Sequence, residues 1–373
     1  MTAVLQAASH PQRLNRRRAL EHAVFAVLPG LVTVWLLLYV STTHLGAVDF
    51  RQDFWAAGWR VIHGGDLYAW TRVQIVSGAS FPYPALAALL FVPFALIPVG
   101  ASSVLFTVLC IVSVAGALRM LAPRDWRLYG IVALWPAVVS GWQTGNLTLL
   151  LVLGIACLWR YRGRPFVAGV LVALLISIKP IVFPLGIWLI ATRRYRAAGY
   201  AVLAGLTINL AAFTVVGWSA LGGWLHLISV QGDLLYRKGY AVVAVAADVG
   251  LSRQAGTVLE VAIGLLVATA CIRAGRRGLE ATALAVAVLL MLVASPQVDL
   301  HYFALLLVPL AILRPRLQRL WFVPLALWVC PASHASAWQA GLFWLVVALL
   351  VTDLARLPGP VLRPASLAPA SPR

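Results

Sequence analysis

The chain has 373 residues, of which 62% are hydrophobic and 11% charged, and its mean hydropathy is +0.91. So little polar surface cannot cover a soluble globule of this size, so the composition excludes that class and indicates a polytopic membrane protein. The formal net charge of +18 does not indicate a nucleic-acid-binding protein, because Lys and Arg lie in short clusters between apolar runs instead of gathering on one face.

Apolar runs of roughly 20 residues or somewhat less, enough for a helix to cross a bilayer within a bundle, recur along the whole chain. They predict an all-α transmembrane helical bundle of about twelve spans, near 22–43, 84–122, 128–141, 145–160, 165–177, 180–192, 196–217, 255–272, 280–294, 300–313, 320–333 and 336–355. The run 84–122 is too long for one span and short for two, and Pro93 and Pro98 interrupt it. We expect one crossing there, preceded by a half-helix or an interfacial segment within 85–98.

The loops between these runs alternate in charge. Placing every second loop and both tails in the cytoplasm puts 22 of the 29 Lys and Arg inside, together with 4 of the 11 Asp and Glu. This is the bias that the positive-inside rule describes, and it predicts a multi-pass plasma-membrane protein with both termini cytoplasmic. The 27 arginines against 2 lysines are compatible with a GC-rich bacterial gene.

The predicted organisation is one membrane domain, 22–356. A basic cytoplasmic tail, 1–21, precedes it, and a Pro-rich disordered cytoplasmic tail, 357–373, follows it. The first apolar run lacks a small-residue cleavage site, which indicates a retained signal anchor. Two long external segments interrupt the domain: 44–83, in which we expect amphipathic helices, and 218–254. The four cysteines lie in apolar runs without C-x-x-C spacing, so neither a disulfide framework nor a zinc site is indicated.

The predicted orientation places the unusual polar residues on the external side or at the outer ends of spans. These residues are Asp49, Asp53, His63, Asp66, Gln143, Asn146, Lys179, Asp299, His301 and His334. A transporter would be expected to concentrate such groups near the middle of the bilayer, where a polar site serves alternating access. The distribution instead favours a site at the outer leaflet.

Asp49 and Asp53 stand four residues apart, so a helix would present both on one face. Two interpretations are equally compatible with this spacing: a solvated turn on the membrane surface, or a catalytic base. Burial among the neighbouring aromatic residues would raise a carboxyl pKa and strengthen it as a proton acceptor, whereas Arg51 would lower the pKa. The sequence does not decide which effect is larger.

Lys179 is the only lysine in the predicted spanning region, and it directly precedes a proline. A snorkelling side chain is the alternative, but phosphate is a natural partner for a point cation. His301 follows a Ser-Pro break; a lone interfacial His is more often a structural hydrogen-bonding residue, and Asp299 either fixes its tautomer or is solvated. Gln143 and Asn146 suit helix caps and ligand contacts equally well.

Several catalytic motifs are absent from the sequence. It contains no P-loop, no G-x-G-x-x-G between a strand and a helix, no H-E-x-x-H and no G-x-S-x-G. Soluble nucleotide donors are therefore unsupported, and an outward-facing site points to an activated substrate that the membrane carries.

Five segments resemble, in order and spacing, the pattern of glycosyltransferase family 87, also called DUF2029. They are D-F-R-Q-D-F-W-A-A-G-W-R-V-I-H-G-G-D-L-Y from Asp49, F-P-Y-P-A-L-A-A-L-L-F-V-P-F-A-L-I-P from Phe81, W-Q-T-G-N-L-T-L-L-L from Trp142, A-G-V-L-V-A-L-L-I-S-I-K-P-I-V-F-P from Ala168 and A-S-P-Q-V-D-L-H-Y-F from Ala294. The chain departs from that pattern at Ala85, which stands where a second proline is usual, and in the P-Q-V-D-L-H motif. It also lacks a clear Gln-Ser-Leu segment in the second long external region.

The resemblance implies a GT-C fold and an inverting transfer of a sugar, with mannose favoured. The donor would be a polyprenyl-phosphate sugar, and the acceptor a glycolipid or polysaccharide at the external face. Asp49 matches the family's catalytic carboxylate, whereas Lys179, His301 and Arg51 are the expected phosphate contacts. Further substrate contacts are expected among Asp53, Trp55, Tyr68, Tyr83, Gln143, Asn146 and Asp299.

No cofactor and no metal is required by this scheme, and the expected partners are the donor, the acceptor and membrane lipid. Two alternatives remain open. One is arabinofuranose transfer within the same family, and the other is a transporter or flippase of lipid-linked sugars.

Overall fold

A computed structural model describes residues 16, 18–43 and 46–355 of the chain. Most of the predicted tail 1–21 and all of the predicted tail 357–373 lie outside the described residues. Within the described ranges the chain is entirely helical, with turns and short connections and without a strand, so the all-α prediction is confirmed there.

Five described helices are long and apolar enough to cross a membrane: Arg18–Thr42, Val99–Leu121, Tyr195–Val216, Arg253–Arg276 and Ala337–Leu354. Six apolar helices are shorter: Ala85–Ala95, Pro165–Ile178, Pro180–Ala191, Glu280–Val293, Leu300–Leu313 and Arg319–Val329. One further pair, Pro136–Thr144 and Thr148–Tyr161, is bent by 117° and counts as a sixth crossing if it forms one span. The predicted count of twelve spans is therefore not confirmed, although a helix lies at every predicted position.

The remaining described elements are short or lie outside these apolar runs. The π-helical turns are Ala23–Val27 and Phe50–Trp55, and the α-helices are Ala56–Ile62, Arg72–Ser77, Arg127–Ala133, Ser219–Leu235 and Val242–Asp248. Proline at the first helical turn fixes several starts, since its missing N–H is not needed there; Pro136, Pro165 and Pro184 occupy this position.

The region 84–122 behaves as expected. Helix Ala85–Ala95 contains Pro93 and is only 11 residues long, so at 1.5 Å per residue it covers roughly half of a bilayer core. A break at 96–98 separates it from the single long helix Val99–Leu121. The structure thus has a short helix followed by one helix long enough to cross a membrane, and the crossing itself stays a prediction.

The core lies around helix Glu280–Val293, in which all but two residues are buried. It continues into the equally buried segment Leu300–Leu313, and the long helices pack outside it. The long helices expose apolar side chains, with Leu31, Leu203 and Leu266 exposed by 63%, 64% and 71%. Apolar surface of this extent requires a nonpolar surrounding, which a bilayer provides.

The two long segments predicted to be external pack on each other. The Trp224 indole, on helix Ser219–Leu235, donates a hydrogen bond to the Pro82 carbonyl at 3.1 Å. The Lys238 ammonium donates to the Val76 carbonyl from the same side. Together these segments close one side of a cavity at the ends of several helices.

Helix Pro165–Ile178 links two chemically different ends of the molecule. Its 14 residues span about 21 Å at 1.5 Å per residue, with arginines beside its first residue and Lys179 directly after its last. Helix Thr148–Tyr161 runs between the same two ends. The helices thus separate an arginine-rich end from a carboxylate-rich end. The charge pattern predicted this separation.

Candidate active site

A cavity of about 480 Å³ opens at the carboxylate-rich end. Its lining includes six of the predicted site residues, Asp49, Asp53, Tyr83, Asn146, Lys179 and Asp299, and also His334, one of the polar residues predicted to be external. The sequence separates the six site residues by as many as 250 positions, and the helix ends bring them together. Apolar side chains complete the wall, among them Ile181, Phe183 and Ile228.

A sharp bend in the backbone positions Asn146. Helix Pro136–Thr144 ends at Gly145, whose φ of 69° is left-handed, and the chain turns by 117° into Thr148–Tyr161. A Cβ atom at Gly145 would lie 2.7 Å from the Phe50 Cβ, so only glycine allows the bend to approach the helical turn that carries Asp49. The Ala47 N–H secures this approach by donating to the Gln143 carbonyl at 2.7 Å.

Asp49 belongs to a hydrogen-bonded chain of side chains. Asn146 Nδ2 donates to Asp49 Oδ2 at 2.7 Å, and Asn146 Oδ1 accepts from the Thr148 N–H at 3.0 Å and the Thr148 hydroxyl at 2.8 Å. Lys179 Nζ donates to Thr148 Oγ1 at 3.2 Å and lies 3.5 Å from Asn146 Oδ1. The bonds from Thr148 fix the orientation of the amide so that its NH₂ group faces the carboxylate.

Lys179 is a buried cation without a buried counterion in contact. Its side chain is 3% exposed, and its Nζ lies 4.0 Å from the centroid of the Tyr302 ring and 5.7 Å from that of Tyr83. Among the described residues it forms no ion pair. Its positive charge is therefore stabilised by aromatic faces and hydroxyls and stays available to an anionic ligand in the cavity.

Three carboxyl groups face this cation from different surroundings. Desolvation raises the pKa of Asp49, while the hydrogen bond from Asn146 opposes the rise. Desolvation and the nearby Asp49 charge raise the pKa of Asp53 well above its ordinary value. Desolvation, together with the charge of Asp49, raises the pKa of Asp299 to about 7. Asp49 is thus the carboxyl group whose ionised form the cavity supports through a direct side-chain donor.

Asp53 and Asp299 each carry an unused acceptor. The Oδ1 atoms of both are buried and have no hydrogen-bond partner among the described residues. Asp53 is 7% exposed and lies on the π-helical turn Phe50–Trp55, four residues after Asp49. Buried acceptors without donors are costly, so a ligand hydroxyl that donates to them would bind favourably.

Five predicted site residues do not line the cavity: Arg51, Trp55, Tyr68, Gln143 and His301. The Trp55 indole donates to the Ile97 carbonyl, and the Tyr68 hydroxyl donates to the Tyr83 carbonyl at 3.0 Å. Tyr68 therefore holds the backbone of Tyr83, which lines the cavity, without lining the cavity itself. His301 is 3% exposed, with both ring nitrogens lacking a partner among the described residues. Its contact with phosphate stays a prediction.

Other lining residues were not singled out by the sequence analysis. They include Tyr302, whose ring covers the Lys179 ammonium, and Lys238. One signal could have found Lys238: the chain has only two lysines, and both line this cavity. Thr148 follows Asn146 by two positions in the N-L-T triplet and completes the hydrogen-bonded chain.

The described residues contain no group of three or more His, Cys, Asp and Glu side chains that could hold a metal ion. This observation leaves the predicted lack of a metal cofactor untested, since a substrate-borne group can complete a metal site.

An apolar helical exterior around a polar, ligand-sized cavity defines an integral membrane protein with an internal site. The chain belongs to glycosyltransferase family 87, whose pattern matches residues 81–296. The resemblance found in the five motifs is confirmed. The matched region includes Tyr83, Asn146 and Lys179, whereas Asp49 and Asp299 lie outside it.

A curated relative from Mycobacterium tuberculosis (strain CDC 1551 / Oshkosh) is the polyprenol-phosphate-mannose-dependent alpha-(1-2)-phosphatidylinositol pentamannoside mannosyltransferase. The two sequences are 28% identical over 188 residues, which cover 46% of this chain and 42% of the relative. The chain thus matches less than half of the length of that relative. No solved structure matches the chain.

Proposed function

We propose that this protein transfers a sugar, with mannose favoured, from a polyprenyl-phosphate donor to a glycolipid or polysaccharide acceptor. The observation that carries the proposal is the hydrogen-bonded chain from Lys179 through Thr148 and Asn146 to Asp49 in one cavity. Membership of glycosyltransferase family 87 supports the reaction class. The name of the mycobacterial relative supports a polyprenol-phosphate-mannose donor and a glycolipid acceptor.

In this reaction Asp49 accepts the proton of an acceptor hydroxyl, and the hydroxyl oxygen attacks the anomeric carbon of the donor sugar. The bond between that carbon and the phosphate oxygen breaks on the opposite face, so the configuration inverts. The departing polyprenyl phosphate keeps the electron pair. Negative charge grows on this phosphate, and the preorganised cation of Lys179 stabilises it by roughly 3 kcal/mol, the usual size of such a contribution.

Asn146 orients the Asp49 carboxylate without contacting the reacting atoms. Its amide holds one carboxylate oxygen at 2.7 Å, which leaves the other oxygen to face the acceptor hydroxyl. Asp53 and Asp299, with their unused buried acceptors, bind sugar hydroxyls in this proposal. His301 and Arg51 remain the additional predicted phosphate contacts.

The cavity accommodates sugars but not a whole donor. A volume of about 480 Å³ lies in the range of small-molecule sites, whereas a polyprenyl chain is much longer than the cavity. Phe183 lines the cavity and is 43% exposed, so it forms an apolar edge between the site and the outside of the helical bundle. We place the exit of the polyprenyl chain at this edge.

The membrane arrangement is part of the proposal. The external segments and the carboxylate-rich end face the outside of a bacterial plasma membrane, and both termini face the cytoplasm. The short helices Pro165–Ile178 and Pro180–Ala191, joined at Lys179, complete a GT-C-type bundle of about twelve spans in this arrangement.

The test uses purified full-length protein with radiolabelled polyprenyl-phosphate mannose and a panel of glycolipid and polysaccharide acceptors. We expect a lengthened glycan and one free polyprenyl phosphate per sugar transferred. A parallel reaction with polyprenyl-phosphate arabinose examines the alternative donor. Movement of the lipid-linked sugar across the membrane of a proteoliposome, without formation of a new glycosidic bond, would contradict the proposal and support a transporter.

A further inference from the structure

A second cavity lies at the opposite, arginine-rich end of the bundle. It has a volume of about 320 Å³, and its lining includes Arg162, Arg193, Arg194 and Arg196. We call this the arginine pocket. Helix Pro165–Ile178 separates it from Lys179 by about 21 Å, so it is not part of the candidate active site.

The charge of the arginine pocket is only partly neutralised from within. Glu280 accepts from Arg194 Nη2 at 2.8 Å and from Arg162 Nε at 3.2 Å, and it is the one acid that the described residues place against these arginines. The side chains of Arg193 and Arg196 are exposed and form no hydrogen bond or ion pair with the described residues. Four arginines therefore line this concave site, and the one carboxylate in contact with them is bound to two of the four, which leaves an excess of positive charge.

The protein holds two of these cations rigidly in place. Arg162 Nη1 donates to the Trp159 carbonyl at 2.6 Å, and its guanidinium lies 3.9 Å from the centroid of the Trp159 ring. Arg194 Nη1 donates to the Arg162 carbonyl. The Arg194 Nε atom is buried and lacks an acceptor among the described residues, so the charge of this guanidinium is only partly compensated by hydrogen bonds.

The surroundings of the pocket indicate where this ligand comes from. Tyr195 lines the pocket and is 61% exposed, and Phe166 and Tyr200 beside it are exposed by 63% and 41%. Exposed aromatic rings at the end of apolar helices are typical of the level of lipid headgroups. A basic pocket between helix ends at this level suits an anionic headgroup, because guanidinium groups bind phosphate oxygens in pairs.

We propose that the arginine pocket binds the phosphate group of an anionic phospholipid. Arg193 and Arg196 supply free guanidinium forks, while Arg162 and Arg194, held by Glu280, contribute fixed positive charge. The shared chemistry is a phosphate, and free inorganic phosphate is the other source that the experiment must separate.

The experiment titrates the full-length protein in neutral detergent with a soluble short-chain phosphatidylglycerol, and measures binding by calorimetry. Short-chain phosphatidylcholine and inorganic phosphate are titrated separately. The test variant is R193Q/R196Q, and the matched control is R273Q/R276Q, which removes two exposed arginines of helix Arg253–Arg276 that do not line the pocket. We expect R193Q/R196Q to raise the Kd for phosphatidylglycerol by about tenfold or more, and the control to leave it unchanged.

Three results would overturn the proposal: equal weakening in both variants, equal binding of phosphatidylcholine, or binding of inorganic phosphate as tightly as of phosphatidylglycerol. The thermal stability of each variant without lipid verifies its fold. If R193Q/R196Q unfolds, R193K/R196K replaces it; this variant keeps the charge but loses the planar fork, and weaker binding is again the expected result. The readout is binding, so it does not depend on the proposed transfer reaction.

Discussion

At the level of single residues, the surroundings of Asp49, Asp53 and Asp299 separate three otherwise identical carboxyl groups. Asp49 has a donor in Asn146, whereas the Oδ1 atoms of Asp53 and Asp299 have none among the described residues. A base must be ionised before it reacts, and a hydrogen bond to the charged form favours that state. This donor is the reason why we propose Asp49 as the base among the three.

Asp299 gives a prediction on stability and pH. Its pKa is raised to about 7 in the fold, against roughly 4 for an unfolded Asp. The folded state binds this proton more tightly, so the contribution to stability is full below the unfolded pKa and is lost as the pH rises through 7. We expect the Tm of the wild type to fall between pH 5 and pH 8 by roughly 2 °C or more relative to D299N.

Thermal unfolding in detergent at pH 5, 6, 7 and 8 measures this difference. The matched control is D66N, at an exposed acid in the first segment predicted to be external. If wild type and D299N lose stability in parallel over this range, the carboxyl group of Asp299 does not hold a raised pKa in the folded protein.

The residue types of the site could be predicted from the sequence because they are rare in apolar surroundings. Asp49, Asn146 and Lys179 stand out in runs of hydrophobic residues, and the structure brings all three into one cavity. The sequence could not predict which of two adjacent residues faces the cavity. His301 was singled out by type, but the adjacent Tyr302 lines the cavity and covers the Lys179 ammonium.

At the level of elements, irregular helices explain these differences. Residues Phe50–Trp55 form a π-helical turn and Leu300–Leu306 a 3₁₀-helix, whose wider and tighter turns rotate side chains away from α-helical positions. Hydrophobic periodicity assumes 3.6 residues per turn, so it does not reveal which side chains these elements turn inward. Trp55 consequently contacts the Ile97 carbonyl instead of lining the cavity.

The bend at Gly145 is the element on which the site depends. In G145A, the new Cβ would lie 2.7 Å from the Phe50 Cβ, which forces the bend and Asn146 away from Asp49. We expect kcat/KM for sugar transfer to fall by about tenfold to a hundredfold, because small displacements of a catalytic group are costly. Initial rates on the purified variant measure this effect.

G64A separates the clash from the backbone strain. Gly64 also has a positive φ, of 65°, but a Cβ there meets no atom within 4 Å. Both variants place alanine in a left-handed conformation, at a cost of roughly 1–2 kcal/mol, and only G145A also disturbs the site. Equal transfer rates for the two variants would show that the contact between the bend and Phe50 does not position Asn146.

At the level of the whole molecule, the charge pattern and the structure agree on two chemically different ends. Arginines of two basic clusters line the arginine pocket, whereas three carboxyl groups and both lysines line the cavity at the other end of helix Pro165–Ile178. The number of crossings could not be predicted from composition, because several apolar helices are too short to span a bilayer alone. Short helices that are buried inside the bundle need apolar residues as much as spanning helices do, so their hydrophobicity does not distinguish the two kinds.

The orientation itself is testable by labelling intact cells with a membrane-impermeant maleimide. Gly65 and Gly163 are exposed positions where a side chain meets no close neighbour below 3.6 Å, and they lie in loops predicted to be external and cytoplasmic, respectively. We expect G65C to be labelled on intact cells and G163C only after permeabilisation, with the wild type as the background control. The opposite pattern would invert the proposed arrangement.

The most direct test of the central proposal compares sugar transfer by D49N, D53N and D66N with that of the wild type. Loss of a general base typically lowers the rate by about 10²–10⁴-fold, so we expect D49N to lose transfer to this extent while D66N keeps the wild-type rate. The wild-type rate should fall as the pH drops through the raised pKa of Asp49, because only the ionised carboxylate accepts the proton. Wild-type turnover in D49N, with loss of transfer in D53N, would contradict the assignment of Asp49 as the base.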